Sequence, residues 1–131
     1  MTKPQNAFSW NELMTEDVTA SAAFYRDLFG WRSEPFETLD KKQLPNGYQI
    51  FKLKDQAMGI AGMIKCPTPG APSQWIPYVV VAKTDDAVAQ AKRLGAEILL
   101  EPTDIPDVGR IAVLRDPQGA ILGVHQITTV C

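Results

Sequence analysis

The chain has 131 residues, 45% of them hydrophobic and 21% charged, with a mean hydropathy of -0.12. A chain of this length buries roughly two-thirds of its unfolded surface and folds without staples, and no apolar run approaches the length of a membrane span, so no membrane role is expected. Its 15 acidic and 13 basic residues give a formal charge of -2, with the basic residues scattered. That excludes the electrostatic footprint of a nucleic-acid binder and leaves a neutral or weakly charged small molecule as the expected partner.

Cys66 and Cys131 form neither a disulfide framework nor a CxxC metal pair. Met1 to Ala7 lacks the apolar core of a signal peptide. The chain is therefore expected to be cytoplasmic, with reduced thiols. Its single histidine, His125, limits every metal or triad hypothesis.

In chain order, Phe8 to Thr15 is a strand-like run, Glu16 to Thr19 supplies helix-start signals, and Ala20 to Phe29 reads as a helix closed by Gly30. Ala20, Phe24 and Leu28 recur at helical spacing with Tyr25 and Phe29 beside them, which makes one apolar stripe. Strand candidates follow at Trp31 to Thr38, Gly47 to Lys54 and Ala57 to Lys65, and the Pro- and Gly-rich stretch Cys66 to Pro72 reads as a linker. Beyond it the order recurs: a β-rich run from Trp75 to Ala82, Asp85 as a cap, and Val88, Ala91 and Leu94 before Gly95. Strands follow at Ala96 to Glu101, Gly109 to Arg115 and Ala120 to Ile127. Setting Gly123 against Gly62 also aligns Asp116 with Asp55, Leu114 with Leu53 and Ile111 with Ile50. Asp116-Pro117-Gln118-Gly119 has the chemistry of a tight hairpin, with Pro pre-setting φ and Gly able to turn left-handed.

These elements predict an α+β fold of two tandem β-α-β-β-β modules in one domain over residues 1–131: module one at about 6–66, a linker at about 67–73, and module two at about 74–128. A single helix covers one face of each mainly antiparallel sheet, and the other face must meet another sheet, a ligand or a subunit. Two such curved sheets facing each other would enclose a cavity.

The run Phe24 to Trp31 (FYRDLFGW), Val108-Gly109-Arg110 before a strand, and Asp116 to Ala120 (DPQGA) resemble the glyoxalase/bleomycin-resistance/dioxygenase superfamily, the vicinal oxygen chelate fold, over nearly the whole chain. The resemblance implies the fold and not the reaction, since that superfamily hosts lyases, epimerases, ring-cleaving dioxygenases, thiol transferases and metal-free drug-binding proteins. Its metal-dependent members carry a His or Glu on the first strand of a module and a Glu on the last. Carried over, the first-strand positions fall on Trp10 and Ile76, and the last-strand positions on Gly62 and Gly123. None of these side chains donates a lone pair to a cation that needs three or four N, O or S ligands. The resemblance therefore implies a subgroup without the metal site and without a cofactor. A slip of two residues keeps the strand face and offers Glu12, Tyr78 and His125 instead, so a site of Glu12, His125 and a further carboxylate stays open.

If Leu13 turns toward the helix, alternation sends Trp10, Glu12 and Met14 to the opposite face. There Glu12 would act as general acid or base, or as an acceptor for a ligand amine or hydroxyl; pairing with an Arg, or a place at a wet sheet edge, is the structural alternative. His125 shares the face of Gly123 and would serve as proton shuttle or clamp, or simply as a hydrogen-bonded packing residue. Glycines in mid-strand at Gly62 and Gly123 indicate close approach to the backbone by a ligand, a bulge or another sheet. Arg110 would grip a carboxylate or phosphate bidentately, or stand exposed at a strand end. Trp31, Phe36, Tyr48, Phe51 and Trp75 offer either stacking surface or core.

Cys66 has no histidine near it in sequence, the serines lack a G-x-S-x-G elbow, and no Gly-rich phosphate loop follows a strand, so no covalent mechanism is expected. The expected function is the binding of a small, largely apolar organic molecule in a cavity between sheets, without a metal. Two alternatives are a metal-dependent lyase or dioxygenase of the same superfamily, and a metal-free lyase or isomerase using Glu12 with His125 or Tyr48. A homodimer is expected, by resemblance to short family members and because small sheets leave edges and apolar faces to cover.

Overall fold

Residues 4–36, 47–66 and 70–127 are described by the computed structural model. Among them run β1 (Phe8–Thr15), α1 (Val18–Phe29), β2 (Arg32–Pro35), β3 (Gln49–Lys52), β4 (Gly59–Lys65), β5 (Gln74–Val80), α2 (Thr84–Arg93), β6 (Glu97–Ile105), β7 (Gly109–Arg115) and β8 (Ile121–Ile127). The fold is α+β, with the order β-α-β-β-β occurring twice. The chain divides into two compact units, Trp10–Trp75 and the described part of Met1–Ser9 with Ile76–Cys131. Residues 67–69 of the expected linker, residues 37–38 of an expected strand, and Cys131 lie outside the described residues.

In the unit Trp10–Trp75, β1 runs parallel to β4 and pairs Glu12 with Gly62 and Leu13 with Met63. Antiparallel pairing then takes β4 to β3 and β3 to β2. Leu13, Phe51, Ala61 and Met63 form a buried cluster against Val18, Ala22 and Tyr25 of α1. The helix begins where the Asp17 carboxylate accepts from the Ala20 amide at 3.0 Å, satisfying a first-turn donor that has no partner within the helix. It ends at Gly30, whose φ of 75° favours a residue without a β-carbon.

The stripe Ala20, Phe24 and Leu28 does not reach this core: Phe24 is 58% and Leu28 56% exposed. The helix is apolar on two sides, and the sheet takes the side on which Val18 and Ala22 permit close approach. A bulge in β4 decides which of its residues share a face. Phe51 pairs with Ala61 but Lys52 pairs with Gly59, which leaves Ile60 over, so strict alternation fails and Gly59 and Gly62 lie on the same side.

The other unit repeats the pattern. β5 is parallel to β8, pairing Tyr78 with Gly123 and Val80 with His125, and antiparallel pairing links β8 to β7 and β7 to β6. Val88 of α2 packs on Ala112, Leu114 and Val124, with Ala91 beside it. The Asp116 hairpin forms as its sequence dictates: the Asp116 side chain accepts from the amides of Gln118 at 2.9 Å and Ala120 at 3.0 Å.

Three expectations are corrected by the fold. Leu94 follows the helix and is 67% exposed, because α2 ends at Arg93. Asp85 does not cap: the cap position is Lys83, which makes no side-chain cap bond, and the Thr84 amide instead donates to Gln126 Oε1 at 2.9 Å. A residue of β8 thus supplies the capping oxygen and leaves Asp85 to another partner. Finally, Gly62 pairs with Ile50 whereas Gly123 pairs with Val113, so Val113 and not Ile111 is the counterpart of Ile50. Among the described residues no helix is long and apolar enough to cross a membrane.

Candidate functional site

On the face of module one turned away from α1, β1 presents Trp10 and Glu12. The Trp10 indole N–H donates to the Tyr48 hydroxyl at 3.1 Å; that hydroxyl stands over Gly62, the ladder partner of Glu12, and so beside the Glu12 carboxylate, with which it is hydrogen-bonded. Glu12 is 6% exposed and so does not lie at a wet edge. An indole N–H only donates. Tyr48 therefore accepts from Trp10 and donates a hydrogen bond to Glu12, and the direction of the chain is fixed. Burial, and then the negative charge of Glu12, push the Tyr48 phenol well above the usual tyrosine range, so it keeps the proton it donates.

Gly62 lies beneath this chain. A β-carbon there would stand 1.9 Å from the Tyr48 hydroxyl oxygen and 3.1 Å from Trp10 Nε1, and one at Gly59 would meet Ile50 at 2.5 Å and the far edge of the indole at 3.4 Å. The indole thus rests along two glycines that the bulge at Ile60 brings to one face. It forms a wall of a depression of about 640 Å³ whose lining includes Phe36, Ile50, Lys52 and Glu34. Lys52 and Glu34 are ion-paired, and Lys52, with Arg32 adding to it, holds the Glu34 carboxyl below the usual glutamate range.

In module two the corresponding positions hold Tyr78 and Gly123. A β-carbon on Gly123 would fall 2.3 Å from the Tyr78 ring. Ile76 and Tyr78 are buried and share the face turned away from α2 with Gly123 and His125. His125 Nε2 stands 3.0 Å from the Val108 carbonyl; a carbonyl only accepts, so this nitrogen carries a proton.

Arg110 does not join these residues. It alternates with Ile111 on β7 and lies on the helix side, where its guanidinium donates to both oxygens of Asp85 at 2.9 and 3.1 Å and pairs with Asp104 at 3.0 Å. Two carboxylates already fill its fork. Arg110 draws the Asp85 carboxyl below the usual aspartate range, so Asp85 adds stability above the ordinary aspartate pKa that is lost as pH falls through the depressed value. Thermal melts of wild type and Asp85→Asn from neutral to strongly acidic pH are expected to converge over that acid limb. A gap that persists unchanged would show that the pair adds nothing.

The predicted residues thus assemble as Trp10, Glu12, Tyr48 and Gly62 in one unit and Ile76, Tyr78, Gly123 and His125 in the other. The aromatic residues divide by face. Phe36 meets Tyr48 edge-on at 6.0 Å, while Trp31, Phe51 and Trp75 gather around Tyr25 on the helix side. Gly59, Ile50 and the Lys52–Glu34 pair escape sequence reasoning. The one signal for Gly59, a second glycine three residues before Gly62, points to the wrong face unless the bulge is known.

Metal-dependent members of the vicinal oxygen chelate superfamily hold a divalent ion, and the residues present here do not fit one. The first-strand partners of the last-strand glycines are Glu12 and Tyr78 rather than Trp10 and Ile76. Above each glycine, where a ligating side chain would project, stands a tyrosine. Among the described residues no three His, Cys, Asp or Glu side chains come together, and a cation needs at least that many donors.

Two β-α-β-β-β modules, each with its first strand parallel to a last strand that carries a mid-strand glycine, define a glyoxalase-like domain. The chain belongs to that family, matching its profile over residues 11–124. A Mycobacterium tuberculosis protein provisionally named glyoxylase CFP32 is 38% identical over 115 residues, which cover 88% of this chain and 42% of the relative. The anthracycline biosynthesis protein DnrV of Streptomyces peucetius is 33% identical over 131 residues, covering 88% of this chain and 45% of the relative. The chain thus spans less than half the length of these curated relatives. Methylmalonyl-CoA epimerase of Streptomyces coelicolor shares the fold, with a TM-score of 0.61 at 17% identity over 96% of this chain and 100% of that one.

Proposed function

We propose that this chain binds a small, largely apolar organic molecule in the depression against Trp10, without a metal ion. The observation that carries the reading is an indole fixed by Tyr48 and two glycines in the wall of a depression of about 640 Å³, a volume within the range of about 300–1,000 Å³ usual for small-molecule sites. Phe36 and Ile50 add apolar lining. The names of the relatives, a glyoxylase and an anthracycline biosynthesis protein, are in keeping with an organic ligand. A metal-dependent lyase or dioxygenase would need donors that the first- and last-strand positions, Glu12 apart, do not supply.

A thermal-shift screen of uncharged organic compounds, run with chelator and with added divalent ions, tests this, because a molecule that binds only the folded state raises the apparent Tm. Ligands are expected whose shift is unchanged by chelator and abolished by Trp10→Ala. A shift that depends on a divalent ion would overturn the metal-free reading, and the absence of any binder would overturn the function itself.

A second copy of the chain is the partner we propose, in a cytoplasmic setting in line with a cysteine content too low for a disulfide framework. The support is the apolar strip of α1, where Phe24, Leu28 and Phe29 are all more than half exposed and would gain about 25 cal/mol per Å² if covered. Sedimentation velocity is expected to show a dimer that Phe24→Ser weakens. A wild-type monomer at high micromolar concentration would dismiss the pairing.

A further inference from the structure

We infer that the occupant of the depression is a flat, uncharged aromatic molecule, and that Tyr48 and Glu12 are positioning residues that hold the Trp10 indole ready for it. This rests on the ligand-binding reading above and narrows it. The indole is held at its N–H by the Tyr48 hydroxyl and lies over Gly62 and Gly59, where an added β-carbon would stand 3.1 Å from its nitrogen and 3.4 Å from its far edge. A ring already fixed loses no rotamer freedom when a ligand arrives, and the surface it offers is a π face, whose preferred partner is another ring, stacked or edge-on.

The polar groups around that face have partners within the chain. The Trp10 N–H goes to Tyr48 and the Tyr48 proton to Glu12, while Glu34 is bonded by both Arg32 and Lys52. A charged ligand would have to break one of these pairs, and a polar group laid against the indole would lose its water without gaining a bond. A planar, uncharged arene meets neither penalty. The role of Glu12 in this scheme is to accept one hydrogen bond. An amide oxygen also accepts, though more weakly than a carboxylate oxygen, so glutamine should largely replace it whereas leucine should not. General acid–base chemistry at Glu12 would tolerate neither.

The test is a calorimetric titration of the full chain with two planar probes, coumarin and 1-naphthol, and with camphor as a non-planar, uncharged probe of similar size. The planar probes are expected to bind more tightly than camphor. Tyr48→Phe and Glu12→Leu should each weaken them about tenfold, the scale of one well-placed aromatic contact, and leave camphor unchanged. Glu12→Gln should stay within about twofold of wild type, because its side chain still accepts the Tyr48 proton. Trp10 emission, isolated as the difference from Trp10→Phe, should shift in Tyr48→Phe and Glu12→Leu but not in Glu12→Gln. Camphor binding as tightly as the planar probes, or Tyr48→Phe binding them like wild type, overturns the inference while the ligand-binding function stands. Loss in Glu12→Gln equal to that in Glu12→Leu shows that binding needs the carboxylate itself and overturns the positioning role. If none of the three probes nor any other uncharged compound binds, the inference falls together with the function.

Discussion

Phe51→Ala is expected to destabilise the protein by about 3–5 kcal/mol, the usual cost of deleting a fully buried phenylalanine ring. Phe51 is 0% exposed, and its ring lies 5.3 Å from that of Trp31, 5.8 Å from Tyr25 and 6.3 Å from Trp75. These neighbours are large, rigid and mutually packed, with Trp75 donating its N–H to the Tyr25 hydroxyl at 3.0 Å. Closing over a lost ring would require these rings to shift together, which keeps the cost within that range. Urea unfolding should show a lower midpoint at an unchanged slope. The ligand face should feel the change too, because Ile50 and Lys52 flank Phe51 on β3 and line the depression on the opposite side of the sheet. A loss below about 1 kcal/mol would mean that the cluster repacks and that β3 is not braced from behind.

The fold was readable because its signals are local. The Gly30 and Asp116–Gly119 turns and the spacing of Val88 and Ala91 each need only a few neighbouring residues to identify. Where reading failed, a distant partner decided. The start of α2 takes its capping oxygen from Gln126, which no inspection of Lys83, Thr84 and Asp85 could reveal. Which apolar side of α1 turns inward depends on the closeness of the sheet, and the helix itself offers two candidates.

The same division runs through the site. Alternation correctly placed Trp10 and Glu12 together on the face away from α1, since one buried neighbour, Leu13, sets the phase of the strand. It does not extend to Gly59, where the bulge at Ile60 reverses the phase. A guanidinium at a strand head, as at Arg110, has the chemistry of an anion clamp and equally that of an exposed strand end. Asp85 and Asp104, its actual partners, lie on α2 and β6, and pairing across elements is not written in any short motif. The mid-strand glycines mark close approach to the backbone, and the approaching groups are Tyr48 and Tyr78.

Those two glycines should respond differently to alanine. Gly123→Ala is expected to cost about 1–3 kcal/mol, as overpacking of a core does. Its β-carbon would fall 2.3 and 2.4 Å from two carbons of the Tyr78 ring, and Tyr78 is both buried and the ladder neighbour of Gly123, so the ring and the strand that bears it have no direction in which to retreat. At Gly62 the obstacle is the hydroxyl end of Tyr48, on a half-buried residue just before β3, and that ring can swing aside. Gly62→Ala should therefore lose less stability than Gly123→Ala but release Trp10 and weaken ligand binding. A double-mutant cycle decides whether the rings impose the requirement: in a Tyr78→Ala background the added cost of Gly123→Ala should shrink by about 1 kcal/mol or more. Simple additivity of the two changes would mean that the backbone at Gly123, and not the tyrosine above it, demands glycine.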